Sequence, residues 1–260
     1  MNRRSLVFNL VFSVAGGLLV LFIILPLVST LLSTTPLDFL RSFSDPELLR
    51  SFGVTFGAAA IATALALSTG VPLAYILARR RFSGKRLVEA IVNLPVVIPH
   101  TAAGVALLLV FGRRGLLGGA FASLGITFTD NLGGIVVAML FVSLPFLVNL
   151  SREAFALTDE ELERVAMTDG AGPWQAFWYV TLPQAWRGVV GGAVMMWARG
   201  ISEFGAVVIL AYHPKIVPVL VYERYEGFGL TAAEPIALIL ILVALIVFIL
   251  LRLALLPEKE

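Results

Sequence analysis

The sequence contains no cysteine, two histidines and few charged residues. Without cysteine there is no disulfide framework, no thiolate metal site and no cysteine nucleophile. Charged residues make up 14% of the 260, too few to cover a soluble globule, and a net charge of +2 does not indicate a nucleic-acid partner. His100 and His213 have no second ligand at metal spacing, so packing roles are favoured over a metal site.

Common enzyme motifs are also missing. There is no G-x-x-x-x-G-K-[ST] phosphate loop, because Gly84-Lys85 lacks the upstream glycine and the following hydroxyl. Neither the H-E-x-x-H zinc motif nor the G-x-S-x-G nucleophile motif occurs. We therefore expect no catalysis, no ATP binding and no cofactor in this chain.

Long apolar runs dominate the sequence instead. Hydrophobic residues make up 59% of the chain and the mean hydropathy is +0.95, which indicates an integral membrane protein. A helix crossing the ~30 Å hydrocarbon core needs about 20 apolar residues. The segments that meet or approach this length are 8–32, 52–78, 87–112, 134–150, 188–212 and 235–256. We expect an all-α polytopic protein with six transmembrane helices in a single domain, residues 1–260.

Three features refine this prediction. The first run is longer than the ~7–15 residues of a signal-peptide core, which favours a retained helix. Prolines in the third and fourth segments favour kinked helices over re-entrant loops. In the fifth segment, repeated glycines predict a tightly packed central helix near a dimer axis. Thr35-Pro36 and Asp45-Pro46 each predict a helix start, with a short surface helix between the first two spans.

The distribution of Lys and Arg predicts the orientation. These residues are concentrated in the loops on the side that carries both chain ends, with a dense cluster at 79–86. Because cytoplasmic loops are enriched in Lys and Arg, we expect both termini and the loop 151–187 to lie in the cytoplasm, beneath the cell membrane.

Within that loop, the pattern predicts two short helices. Thr158 with Glu161 resembles a capping box, Gly170 stands where a left-handed stop is expected, and Pro173 suits the first turn of a second helix. Spacings of three and four predict one aromatic stripe on that helix, formed by Trp174, Phe177 and Trp178. Leu182-Pro183 is expected to end the unit.

Two receptors for these helices are possible. An amphipathic helix with Trp residues suits lipid headgroups. The segment 158–183 is acidic, however, and anionic lipid prefers a basic face, so a groove on a partner protein is favoured.

The loop resembles the EAA motif of ATP-binding-cassette importer permeases. The matching residues are Glu163, Ala166 and Gly170, followed twelve positions later by Leu182-Pro183, with Val165 in place of the first alanine. The resemblance implies a coupling helix that docks into a cytoplasmic ATPase subunit. It implies coupling roles for Glu163, Ala166, Gly170, Pro173, Trp174, Phe177, Leu182 and Pro183.

Other segments resemble the molybdate, tungstate and sulfate permeases. Ala198–Ala206 (ARGISEFGA) resembles their signature, and Asn93–Thr101 with Tyr222–Tyr225 resembles the archaeal-type molybdate/tungstate permease. This resemblance implies a type I importer fold, a homodimer, two ATPase subunits and an extracytoplasmic oxyanion-binding protein.

Arg199 and Glu203 stand four residues apart within the fifth predicted span, hence on one helix face. Charges inside a bilayer are costly, so such residues face the bundle interior or a water-filled cavity. One interpretation is a neutralising pair that fixes packing. The other is that Arg199 and Ser202, with Glu203 and Thr101, line the anion pathway or its gate.

Three other functions stay open at this point. The same machine could carry sulfate or another solute. A secondary transporter would be favoured by inverted repeats or several paired intramembrane charges, and neither is evident. A membrane scaffold would transport nothing.

Overall fold

The computed structural model describes residues 3–255, with the side chains of residues 7–249. Within these residues the secondary structure is helical and contains no strand, which confirms the all-α prediction. The α-helices are α1 Arg3–Ser33, α2 Pro36–Ser42, α3 Pro46–Arg79, α4 Lys85–Val97, α5 His100–Phe111, α6 Gly118–Ser123, α7 Leu132–Leu157, α8 Glu160–Thr168, α9 Pro173–Ala176, α10 Leu182–Ile201, α11 Gly205–Leu210, α12 Val217–Phe228 and α13 Leu230–Leu255. A π-helical turn, Phe177–Thr181, joins α9 to α10.

The chain divides into two compact units. One contains the residues up to Leu49 together with Leu220–Ile246, and the other contains Arg50–Val219 with the residues from Val247 onward. The single-domain organisation expected from the sequence stays a prediction.

In the first unit, both expected helix starts are present. The Thr35 hydroxyl caps α2 by accepting the Asp38 N–H at 3.2 Å, and α2 is the predicted short helix. The Asp45 carboxylate accepts the Glu47 N–H at 2.9 Å at the start of the long α3. Arg224 then bonds both carboxylates, at 3.1 Å to Asp45 and 2.9 Å to Glu47.

Among the described residues, four helices are long and apolar enough to cross a membrane. They match the first, second, fourth and sixth predicted spans, and they comprise Val7–Ser33, Pro46–Arg79, Leu132–Leu157 and Leu230–Ile249. Residue 256, the predicted end of the last span, lies outside the described residues. The total of six spans stays a prediction, because the third and fifth segments are not single helices.

The third segment is broken rather than kinked. α4 and α5 diverge by 115° at Ile98-Pro99, as in a broken span or a re-entrant loop. The ring of Pro99 disfavours helical backbone at the preceding residue. Ile98 accordingly adopts extended backbone, with φ −74° and ψ 142°. Residues 87–112 therefore belong to two separate helices and not to the single kinked helix that was expected.

The fifth segment is broken as well. α10 begins at Leu182 and ends at Ile201, and α11 begins only at Gly205. The Glu203 side chain accepts the Ala206 N–H at 2.8 Å, which satisfies a backbone donor at the start of α11. The prediction of one helix over 188–212 is therefore wrong, and Glu203 lies in the break between two helices.

Glycines in α10 allow the predicted close packing, here against α7, and the place of this helix near a dimer axis stays a prediction. A Cβ at Gly192 would lie 3.1 Å from the Leu147 carbonyl oxygen, and one at Gly188 would overlap the Cβ of Ala154. Gly191 faces open space, because a Cβ added there would have no heavy atom within 4 Å. The small residues on one side of α10 therefore let the two helix backbones approach closely.

Candidate functional site

The first helix of the loop 151–187 has a defined start and stop. Asp159 caps α8 by accepting the Glu161 N–H at 2.8 Å, so the expected Thr158 cap is wrong. Thr158 instead donates to the Phe155 carbonyl at 2.8 Å and accepts a bond from Arg79. Asp159 takes the capping position because its carboxylate reaches the free amides of the first turn.

The stop at Gly170 is confirmed. Gly170 has φ +98°, a left-handed conformation that favours glycine. Its N–H donates to the Met167 carbonyl at 3.2 Å, and the Ala171 N–H donates to the Ala166 carbonyl at 3.0 Å. These two bonds form a Schellman motif, which closes the last turn of α8 and reverses the chain.

The second loop helix continues into the membrane segment. Pro173 occupies the first turn of α9 as predicted, and the Gly172 N–H donates to the Gln175 side chain at 2.8 Å. The helix then passes through the π-helical turn into α10, so Leu182-Pro183 does not end it. In that turn the Leu182 N–H bonds the Phe177 carbonyl, and the wider turn accommodates Pro183, which has no N–H to donate.

Glu163 connects three parts of the second unit. Its carboxylate accepts one hydrogen bond from the Tyr75 hydroxyl and another, 3.0 Å long, from the Thr181 hydroxyl. The Arg79 Nε lies 3.5 Å from the same carboxylate, and the two side chains are 7% and 13% exposed. The C-terminal end of α3, the loop helix α8 and the start of α10 thus share one mostly buried anion, and we call this set of contacts the Glu163 brace.

The aromatic stripe is divided between two surroundings. Phe177 packs against Tyr75 and Phe155, with ring centroids 5.1 and 6.0 Å apart. Trp174 and Trp178 are 75% and 55% exposed in the chain alone. Phe177 therefore anchors the loop to α3 and α7, which carry Tyr75 and Phe155. The two tryptophans remain available to contact another surface.

A second cluster forms where the two helix breaks meet. Glu203, 1% exposed, places Oε2 2.8 Å from Nδ1 of His100 and 3.1 Å from Nη2 of Arg199. That Nη2 lies 2.9 Å from Nε2 of His100, and Nη1 donates to Ser202 Oγ at 3.2 Å. We call His100, Arg199 and Glu203 the junction cluster. The predicted contact between Arg199 and Glu203 is present, although one partner lies beyond the end of α10.

The Glu203 carboxylate defines one hydrogen-bond role of His100. A carboxylate only accepts and a guanidinium only donates. Nδ1 of His100 therefore carries a proton that bonds Glu203. Nη2 of Arg199 lies 2.8 Å from Nδ1 and 2.9 Å from Nε2, so it contacts both ring nitrogens. Arg199 and Glu203 bring one positive and one negative charge into the cluster.

Gly205 lets the break between α10 and α11 lie close to the break between α4 and α5. A Cβ at Gly205 would lie 2.7 Å from the His100 Cβ and 3.1 Å from the Thr101 nitrogen. Thr101 and Ser202 are exposed beside the cluster. His100 was expected to be a packing residue, so its place in the cluster was not predicted. The available signal was its position directly after Pro99, at the start of a helix.

The chain is similar to known transport proteins along most of its length. Residues 70–256 match the family described as binding-protein-dependent transport system inner membrane component. The chain belongs to this family. Members are transport components, and the apolar helices of this member make it a multi-pass membrane protein of the type I permease fold.

Two relatives and one solved structure describe its place within the family. The molybdate/tungstate transport system permease protein of Pyrococcus furiosus is 42% identical, covering 97% of this chain and 96% of its own length. The sulfate transport system permease protein of Synechocystis is 33% identical, covering 90% and 85%. A crystal structure of a bacterial alginate ABC transporter, bound to a periplasmic protein carrying alginate pentasaccharide, contains a chain with TM-score 0.75 and 17% identity, covering 96% and 93%.

Proposed function

We propose that this chain is the membrane permease subunit of an ATP-driven importer for molybdate and tungstate. The end-to-end similarity to molybdate/tungstate permeases carries the proposal, since 42% identity extends over 97% of the chain. The sulfate permease is less similar, at 33%, and sulfate is the second candidate substrate.

The loop geometry supports a mechanical role in this importer. In the proposed assembly, two copies of the chain associate with two cytoplasmic ATP-binding subunits, and each loop docks into a cleft on one of them. The Glu163 brace links α8 to α3 and α10, so a displacement of the loop moves those helices with it. The exposed Trp174 and Trp178 are suited to anchor the loop in a partner groove.

ATP binding brings the two ATP-binding subunits together, and the loops transmit this movement to the membrane helices. The two copies then alternate between inward-open and outward-open arrangements as rigid bodies. An extracytoplasmic binding protein delivers the oxyanion to the outward-open cavity. In this scheme both termini and the loop 151–187 face the cytoplasm, and the complex resides in the cell membrane.

The pathway is proposed to pass the junction of the two helix breaks. Backbone at membrane depth departs from helical geometry where it lines a cavity or is buried in protein. Arg199 and Ser202 offer hydrogen-bond donors there, next to Thr101. Glu203 balances the arginine charge and contributes to the gate.

Reconstitution tests the proposal. The permease, its co-purified ATP-binding subunits and the binding protein are placed in proteoliposomes, and uptake of labelled molybdate is measured with and without ATP. We expect uptake that requires both ATP and the binding protein. Uptake without ATP would indicate a secondary transporter. If molybdate, tungstate and sulfate are all not taken up, the interpretation as a membrane scaffold is favoured.

A further inference from the structure

The junction cluster holds a carboxylate where a transported oxyanion would be bound. We propose that Glu203 is an internal substitute for the oxyanion: its carboxylate occupies the donors of Arg199 and His100 until an incoming tetrahedral oxyanion displaces it. The inference rests on the proposed function, because it names the groups that this importer's anion would contact.

The donors of Arg199 and His100 can bind either a carboxylate or a tetrahedral oxyanion. Carboxylates and oxyanions present acceptor-only oxygens, and a guanidinium fork binds either class through charge-assisted hydrogen bonds. Here Oε2 of Glu203 accepts from His100 at 2.8 Å and from Arg199 at 3.1 Å. An oxyanion that approached the same two donors would place an oxygen where Oε2 now lies.

Exposure defines the direction of approach. The Glu203 side chain is 1% exposed, whereas Arg199 and His100 are 24% and 37% exposed. An anion therefore meets the cation and the imidazole first and reaches the carboxylate only by replacing it.

The two oxygens of Glu203 have separate tasks. Oε1 accepts the Ala206 N–H at 2.8 Å and so caps α11, while only Oε2 engages Arg199 and His100. Loss of the Oε2 contacts does not require loss of the cap. The oxyanion can therefore replace Oε2 without unfolding the start of α11.

The charge balance explains why such a cluster would release its anion. Arg199 and Glu203 carry opposite charges, so an incoming dianion gains less attraction than it would from Arg199 alone, and it competes with the carboxylate for the same donors. Weak retention suits a permease that receives its ion already bound by another protein and must then let it go.

The test uses the permease with its ATP-binding subunits in nanodiscs, without binding protein, and labelled tungstate as the probe. Glu203→Gln keeps the shape and a carbonyl oxygen for the Ala206 N–H, and it removes the competing charge. We expect it to bind tungstate about 10- to 100-fold more tightly than wild type, the factor for freeing one charge-assisted hydrogen bond. Excess molybdate should displace the label.

Two further variants test the assignment. Arg199→Gln added to Glu203→Gln should return the affinity to the wild-type level. Glu89→Gln removes a carboxylate that pairs with Arg152 at 2.9 Å, outside the junction cluster, and should bind tungstate as wild type does. If Glu203→Gln does not assemble, Glu203→Asp replaces it: a shorter carboxylate that keeps the Ala206 cap no longer reaches Arg199, so tighter binding is still expected.

Equal tungstate affinity of wild type and either Glu203 variant would overturn the inference, as would tight binding that survives loss of Arg199. Wild-type uptake in proteoliposomes is measured separately. If uptake is normal and the Glu203 variants bind no more tightly, the inference alone fails. If the variants bind tungstate but wild type imports no oxyanion, the proposed function fails and the anion site stands.

Discussion

Replacing Glu163 with glutamine should release the loop helix from the membrane helices. In the Glu163 brace, the carboxylate accepts bonds from Tyr75 and Thr181 and pairs with Arg79. Glutamine can accept from one hydroxyl through its carbonyl oxygen and can donate to the other through its NH₂ group, because a hydroxyl both donates and accepts. Both bonds then lose their charge assistance, and the pairing with Arg79 is lost.

The size of the effect follows from these contacts. A hydrogen bond to a charged group contributes about 1.5–3 kcal/mol. The ion pair adds less than its contact alone would suggest, because Arg79 also bonds the Thr158 carbonyl, at 3.3 Å. We expect local opening of α8 to become easier by about 2–4 kcal/mol, which corresponds to a roughly 30- to 700-fold larger open population.

Limited proteolysis measures that population. Arg164 lies within α8 with a 68% exposed side chain, and trypsin needs the helix to open before it can cut there. Where opening and closing are fast, the cleavage rate follows the open population. The rate of cleavage after Arg164, determined by mass spectrometry, should therefore rise at least about 30-fold in Glu163→Gln.

Glu161→Gln is the matched control. It makes the same change on the same helix at an exposed position, and its cleavage rate should stay near that of wild type. Equal rates for the two variants would refute the brace. A double-mutant cycle with Tyr75→Phe should give a coupling energy of about 0.5–3 kcal/mol, and a value near zero would show that the two side chains act independently.

Three further predictions concern other parts of the chain. Gly170→Val should abolish co-purification of the ATP-binding subunits or ATP-driven uptake while the membrane helices still fold, because a β-branched residue resists φ +98°; normal uptake would contradict this. Gly188→Ala should destabilise the purified protein by about 1–3 kcal/mol in thermal unfolding, because its Cβ overlaps Ala154, whereas Gly191→Ala should be neutral; equal midpoints would contradict it. Arg199→Ala should reduce uptake and the ATPase activity stimulated by the binding protein, and unchanged values for both would exclude the residue from the pathway.

Much of the loop could be predicted from local sequence. The stop at Gly170 and the start at Pro173 depend on backbone preferences of single residues, and the structure has both. The cap was placed one residue too early, at Thr158 instead of Asp159, because both side chains are good caps. The prediction that the second loop helix ends at Leu182-Pro183 is wrong, because a π-helical turn lets the helix continue past the proline.

The helix breaks in the third and fifth segments were harder to predict. Apolar composition showed that both segments suit a membrane, and composition does not distinguish a continuous helix from a broken one. Pro99 marked the first break. The second contains no proline, and its carboxylate cap on Ala206 is a contact that apolar periodicity does not register.

Local pattern therefore accounts for the membrane class, the all-α architecture, four of the apolar helices and the helix–glycine–helix loop, because each depends on neighbours along the chain. Tertiary structure alone brings His100 to Arg199 and Glu203, about a hundred positions away, and Tyr75 to Glu163. Burial of charge drives both arrangements: a carboxylate removed from water must find donors, and those donors come from whichever helices the packing places beside it.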